Sequence, residues 1–197
     1  LPLYYSFIKT KIIGMECILS RTGYTGELGY EIYLNSNNAA VVWNALLSDS
    51  KVKPAGLGCR DTLRLEMGYP LYGHELNDET TPVEAGFGRM INLNEKRDFI
   101  GKSALLRSKP RKKLAGALID GKRAAREGAE LLANGEKIGV VSSGSYAPSL
   151  ERAIALTYLK PDFSFENGAS VEIFSKKTIF NGCFSDIPFY KNGTTKN

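Results

Sequence analysis

Histidine and cysteine are scarce in this 197-residue chain, which has one histidine, His74, and three cysteines, Cys17, Cys59 and Cys183. An odd, widely spaced set of thiols argues against a disulfide framework and for a reducing compartment. With no Cys-x-x-Cys pair and a single imidazole, nothing supplies the clustered ligands of a zinc site, so metal catalysis is set aside. No window approaches the run of about 18 apolar residues that a membrane helix needs. The opening LPLYYSFIKTK lacks the basic-then-apolar layout of a signal peptide. The missing initiator Met suggests a processed or truncated start. There is no internal repeat and no low-complexity stretch.

Nucleotide-binding patterns are also missing. Gly101-Lys102-Ser103 would need glycine at 96 to complete a phosphate loop, and Lys96 stands there. Gly56-Leu57-Gly58 and Gly86-Phe87-Gly88 would each need a third glycine for a dinucleotide turn and find Asp61 and Ile91. No Gly-x-Ser-x-Gly elbow exists, and one histidine reads as a surface residue rather than part of a triad. Cys59 beside Arg60 could be an activated thiolate. On an amphipathic helix it reads instead as a packed side chain.

What is present is 43% hydrophobic residues, enough for a substantial core, and a net charge of +5 placed unevenly. Residues 1–94 carry 8 Lys or Arg against 10 Asp or Glu, and residues 95–197 carry 18 against 11. The densest run is Arg107, Lys109, Arg111, Lys112 and Lys113, which reads as a solvated linker. A surface for an acidic partner is the sharper alternative. Nucleic acid is disfavoured because no stacking aromatics are interleaved with those charges.

Hydrophobic spacing predicts a strand over residues 3–11, a turn, and a second strand over 17–21. Glycines at 23, 26 and 29 follow, too costly for a helix and suited to a turn with positive φ or close backbone approach. A strand over 28–34 then puts Glu31 on the opposite face from Tyr30 and Ile32. Asn35 to Asn38 supply capping side chains for a helix over 39–48. A second helix starts at Gly56 or Leu57 and runs to Met67, with Arg60, Leu63, Arg64 and Met67 on one side and Gly68 to end it. A third covers residues 102–107.

Beyond Lys113 the pattern changes to short strands over 114–119, 137–142, 154–159, 170–174 and 179–184. Turns are expected at Asp120-Gly121, Asn134-Gly135, Asn167-Gly168 and Asn181-Gly182. Strands of this length and spacing suggest a small barrel or sandwich. Pro110 marks the boundary, dividing the chain into residues 1–109 and 110–197. The tail 192–197 is expected to be disordered.

Two segments carry most of the functional signal: SRTGYTGELGYEI from Ser20 to Ile32, and PAGLGCRDTLRLEMGYPLYG from Pro54 to Gly73. Together with TPVEAGFGRMINLNEKRDFIGKSALL, REGAEL, VVSSGSYAPSLERAIALTYL and Ile187-Pro188-Phe189-Tyr190, they make the chain resemble the aminomethyltransferase, or T-protein, family of the glycine cleavage system. The resemblance runs along essentially the whole chain. It implies an α+β fold in which residues 1–109 form part of a mixed α/β folate-binding domain with a linker helix, followed by a C-terminal β-barrel.

The resemblance also implies tetrahydrofolate as cofactor and the lipoylated H-protein as partner. In that family a one-carbon unit passes from the aminomethyl-lipoyl arm to tetrahydrofolate, and ammonia is released. Glu31 would be the pterin-binding glutamate, Arg60 the folate-contacting arginine, and Tyr69 an aromatic against the ligand. A carboxylate suits the paired N–H donors of a pterin edge, and a guanidinium suits carboxylate or polar groups held in fixed geometry. Glu27 competes with Glu31, but Glu31 lies in the strand rather than in the glycine turn.

The family's catalytic aspartate lies upstream of the region matched here. No catalytic residue is therefore assigned, and the chain is expected to be inactive alone. An apolar face prepared for the absent portion implies self-association or association with that portion. The compartment implied is cytoplasmic, or the mitochondrial matrix in a eukaryote. Alternatives are the folate-binding portion of a dimethylglycine or sarcosine demethylase, for which no flavin fingerprint is present, and a non-catalytic folate-binding scaffold.

Overall fold

The computed structural model describes residues 1–195. It divides into two compact units, one formed by residues 1–64 with the C-terminal tail and the other by residues 65–190. No helix among the described residues is long and apolar enough to cross a membrane.

The first unit is built on an antiparallel sheet of three strands in the order β1-β2-β3. They span Phe7–Ile12 (β1), Met15–Ser20 (β2) and Glu31–Leu34 (β3). β1 and β2 meet at Ile13-Gly14, where φ values of 52° and 76° give the left-handed turn whose twist matches a hairpin. The first strand begins four residues later than the spacing suggests. Tyr4 and Tyr5 turn the chain, and the Ser6 N–H bonds back to the Leu3 carbonyl at 3.0 Å. β3 likewise begins at Glu31 rather than at residue 28.

Asn35 caps a short 3-10 turn by accepting from the Asn37 N–H at 3.0 Å, and helix α1, Ala39–Leu47, follows. Of its residues only Val42 is buried, while Trp43 is 53% exposed. Helix α2, Leu57–Glu66, ends at Gly68 with φ 66°, as its sequence predicts. The boundary between the units falls inside this helix. The tail departs from the expected disorder, because Thr194 bonds to Glu27 and Leu28; Lys196 and Asn197 lie outside the described residues.

The second unit is a closed barrel of six antiparallel strands, in the order β4-β7-β6-β5-β8-β9. The strands are Lys113–Ile119 (β4), Glu130–Ala133 (β5), Glu136–Ala147 (β6), Arg152–Leu159 (β7), Ser170–Ser175 (β8) and Thr178–Ser185 (β9). Helix α3, Lys102–Arg107, precedes them where the sequence places it. Alternate residues of β7 serve two cores. Ala153, Ala155 and Leu159 face the barrel interior, while Ile154 and Leu156 pack outside it with Leu65, Ala147 and Phe189. Burial on both faces explains why its sequence, AIALTYL, is almost unbroken in apolar character.

Two expectations fail here for reasons visible in the packing. β5 is absent from the predicted strands because it offers only four residues. Asn181-Gly182 is no turn but the middle of β9, where a Cβ on residue 182 would stand 2.2 Å from the Leu118 carbonyl oxygen of β4. Glycine is used there for strand approach. The β8–β9 turn falls instead at Lys176-Lys177.

Between α2 and the barrel, three buried carboxylates tie an irregular segment down. Glu66 accepts from the Ser149 N–H at 3.0 Å. Glu75 accepts from Ser142 Oγ at 2.6 Å and the Leu71 N–H at 3.0 Å. Glu84 accepts from the Arg111 N–H at 2.7 Å and the Thr81 N–H at 2.8 Å. The basic run is thus a solvated linker only at Arg107 and Lys109, which are exposed, and not from Arg111 onward. Arg111 sits on Glu84, and Lys112 lies 4.0 Å over the Tyr158 ring while donating to Thr80.

Burial raises the affinity of Glu84 for its proton, but the Arg111 and Thr81 hydrogen bonds and the Arg111 charge outweigh it and hold the pKa below the ordinary value of 4.5. A carboxyl depressed on folding contributes stability above its unfolded pKa, and loses it as pH falls through the folded one. Glu84→Gln is expected to lower the unfolding free energy by about 1–3 kcal/mol at neutral pH. It should also flatten the decline below pH 4.5. Denaturant melts at stepped pH check this; parallel acid limbs in both proteins would contradict it.

Candidate functional site

The glycine turn delivers its carboxylate through one strained position. Gly26 is buried at φ 74°, a conformation that a side chain would strain, whereas Gly23 and Gly29 have ordinary φ. The chain then enters β3 with Glu31 paired to Ser20 of β2 and Tyr33 paired to Ile18. Period-two alternation therefore puts Glu31 and Tyr33 on one exposed face.

Hydroxyl groups gather on that carboxylate. Thr22 Oγ1 donates to Glu31 Oε2, and the Tyr33 O–H donates to the same oxygen at 3.2 Å. Ser20 Oγ stands 2.7 Å from Thr22 Oγ1 behind them. Oε1 has no hydrogen-bond partner among the described residues, so both its lone pairs remain for donors from outside. The nearby charge of Glu31 and then its hydrogen bond raise the Tyr33 phenol above its ordinary 10.0, with a smaller opposing effect from Thr22.

Arg60 lies near the start of α2, exposed, with its guanidinium 4.6 Å from the centroid of Tyr24. Its neighbour Asp61 pairs elsewhere: Oδ1 accepts from Arg64 Nε at 2.8 Å and from Nη2 at 2.7 Å. Asp61 and Arg64 are three apart on one helix face, where adjacent residues diverge. Arg60 consequently meets no carboxylate among the described residues, and the ring of Tyr24 supports its planar head.

Glu27, the competitor, is occupied by the tail, since Thr194 donates to it through both its hydroxyl and its N–H. No hydrogen bond or ion pair joins Glu31 to Arg60, although both belong to the first unit. Tyr69 follows Gly68 in the second unit and is half-buried. Cys59 is exposed rather than packed, and Cys17 is the buried thiol. His74 pairs with Glu127 at 3.0 Å. Sequence reasoning missed Thr22, Tyr24 and Tyr33; only Tyr33 carried a signal, its two-residue offset from Glu31.

Comparison with known proteins also divides the chain in two, between residues 95 and 112 rather than inside α2. Residues 2–95 match the model described as the GCVT N-terminal domain, and residues 112–191 match the glycine cleavage T-protein C-terminal barrel domain. The chain is 40% identical over its full length to 54% of an aminomethyltransferase from Caldanaerobacter subterraneus. It is 43% identical, over 94% of its length, to 53% of one from Halothermothrix orenii. A crystal structure of glycine cleavage system aminomethyltransferase T from Bartonella henselae superposes with a TM-score of 0.81 at 34% identity. That match covers 88% of this chain and 50% of the other. The chain spans about half the length of the curated relatives it matches.

Replacing Glu31 by Gln removes the charge that disfavours ionisation of Tyr33. One tyrosine is therefore expected to titrate at lower pH in Glu31→Gln than in the wild type, read as the difference in phenolate absorbance. Superposable alkaline titrations would show that the two groups do not meet in solution.

Proposed function

Because the chain belongs to the aminomethyltransferase (T-protein) family of the glycine cleavage system, we propose that its first unit carries part of a tetrahydrofolate-binding site for one-carbon transfer. The donor in this reading is the aminomethyl-lipoyl arm of the H-protein, and ammonia is the co-product. The observation that carries the reading is Glu31: an exposed strand carboxylate, oriented by Thr22 and Tyr33 through one oxygen and open at the other.

The residues present suit such a ligand. Oε1 of Glu31 can take paired ring-edge N–H donors, each a charge-assisted hydrogen bond, while the two hydroxyls keep the carboxylate from rotating. Arg60, without a competing carboxylate and braced by Tyr24, can hold a carboxylate or polar group of the ligand. Tetrahydrofolate supplies, when bound, the nitrogen that takes up the carbon unit. Glu31 and Arg60 bind and orient it, a positioning role for which no proton transfer is required of them. The resemblance assigns an aromatic contact to Tyr69, which its own substitution tests. No catalytic residue is assigned to this chain.

The first unit also leaves Phe7 at 65% and Trp43 at 53% exposure, with Ile18 and Tyr33 exposed beside Glu31. Apolar surface of this kind favours association, and in the isolated chain the available partner is a second copy. Sedimentation should show reversible self-association with binding of a hydrophobic dye. A dye-silent monomer at all concentrations would contradict it.

Calorimetric titration with tetrahydrofolate under anaerobic conditions tests the binding claim. Glu31→Ala is expected to abolish the heat, and Arg60→Ala to weaken affinity about tenfold or more, the scale of a lost charged hydrogen bond. Absence of heat from the wild type at millimolar ligand would sink it.

A further inference from the structure

The barrel carries a second charged feature that the one-carbon reading leaves unused. Lys122, Arg123 and Arg126 from the β4–β5 connection and Lys176 and Lys177 from the β8–β9 turn line one cleft of about 980 Å³. All five belong to the second unit. Elsewhere in the barrel Lys137 pairs with Glu130 at 2.6 Å and Arg152 with Asp120 at 3.3 Å. None of the five meets a carboxylate within ion-pair distance among the described residues. Among the described residues the one acid lining the cleft, Glu127, is held by His74.

What the cations do touch keeps them in place without neutralising them. Lys122 lies 5.9 Å over the Tyr146 ring and Arg123 lies 5.6 Å over that of Phe180. Arg126 donates one N–H to the Gly144 carbonyl at 3.1 Å and retains its remaining donors. Lys176 occupies the left-handed region at φ 56° at the tip of its turn. Like charges drawn into one concavity repel one another, and an anion relieves that repulsion as well as adding contacts.

The geometry points to this cleft as the docking site for an acidic, extended segment of a partner protein. Volume and charge placement favour a segment over a small anion. A cleft near the upper end of small-molecule pockets, with cations on two separate loops, matches carboxylates strung along a chain rather than one multivalent point. Its hydroxyls on Ser145 and Thr178 add donors between the charges. Lysine-rich rims give strong salt dependence.

Fluorescence anisotropy with a labelled octaglutamate peptide tests it on the full chain. Binding should saturate at low salt and weaken at least tenfold when ionic strength rises from ~20 to ~200 mM. The double variant Lys176→Asn, Lys177→Gln suits the left-handed turn and should weaken binding about tenfold, with an unchanged thermal melt. Lys109→Gln, which removes charge outside the cleft, should leave binding within about twofold. The inference is overturned by no anisotropy change at millimolar protein, by equal loss in the Lys109 variant, or by tripolyphosphate or a single-stranded oligonucleotide displacing the peptide more effectively than unlabelled octaglutamate does.

Discussion

Burying a carboxylate is tolerable only when its oxygens are met by donors, and the second unit is organised around three such groups. Glu66, Glu75 and Glu84 are each at most 2% exposed. Their donors come from the barrel, from the basic run and from their own irregular segment, so the path from α2 to β4 is set by satisfying them. Leu65, near the end of α2, packs with Ile154 and Leu156 on the outer face of β7 and gives the barrel its second core. The stretch from Arg111 to Lys113 is therefore part of the second unit's structure, with Arg111 compensated by Glu84.

That compensation gives the remaining charges their meaning. Arg111 on Glu84 and Arg64 on Asp61 each face a carboxylate, whereas Lys112 is held by the Tyr158 ring and the Thr80 hydroxyl. Arg60 also rests on an aromatic face, and the cleft cations rest on rings, a carbonyl or nothing. Glu31 is the converse case, a carboxylate held by neutral hydroxyls. Charged groups that are positioned but not neutralised are the ones able to meet an anion or a donor from outside.

Much of this was readable from residue order where a local rule decides the outcome. Gly68 ends α2, spacing gives its faces, and period-two alternation puts Glu31 on an open strand face. The failures at Asn181-Gly182 and in the tail share one cause. Asn134-Gly135 turns with φ values of 51° and 79°, whereas the same dipeptide at Asn181-Gly182 runs straight through β9 because the Leu118 carbonyl approaches it. The tail is fixed by a contact 166 residues away, between Thr194 and Leu28. Which neighbour Asp61 chooses is set by helix geometry that adjacency in sequence conceals. Long-range contacts and donor matching leave no local pattern.

The central claim is that the first unit receives tetrahydrofolate through Glu31 and Arg60. Hydrogen–deuterium exchange with and without the ligand reads this most directly. The account predicts added protection confined to residues 22–34 and 57–69, with the barrel strands unchanged. Protection restricted to the barrel, or none anywhere at saturating ligand, would contradict it.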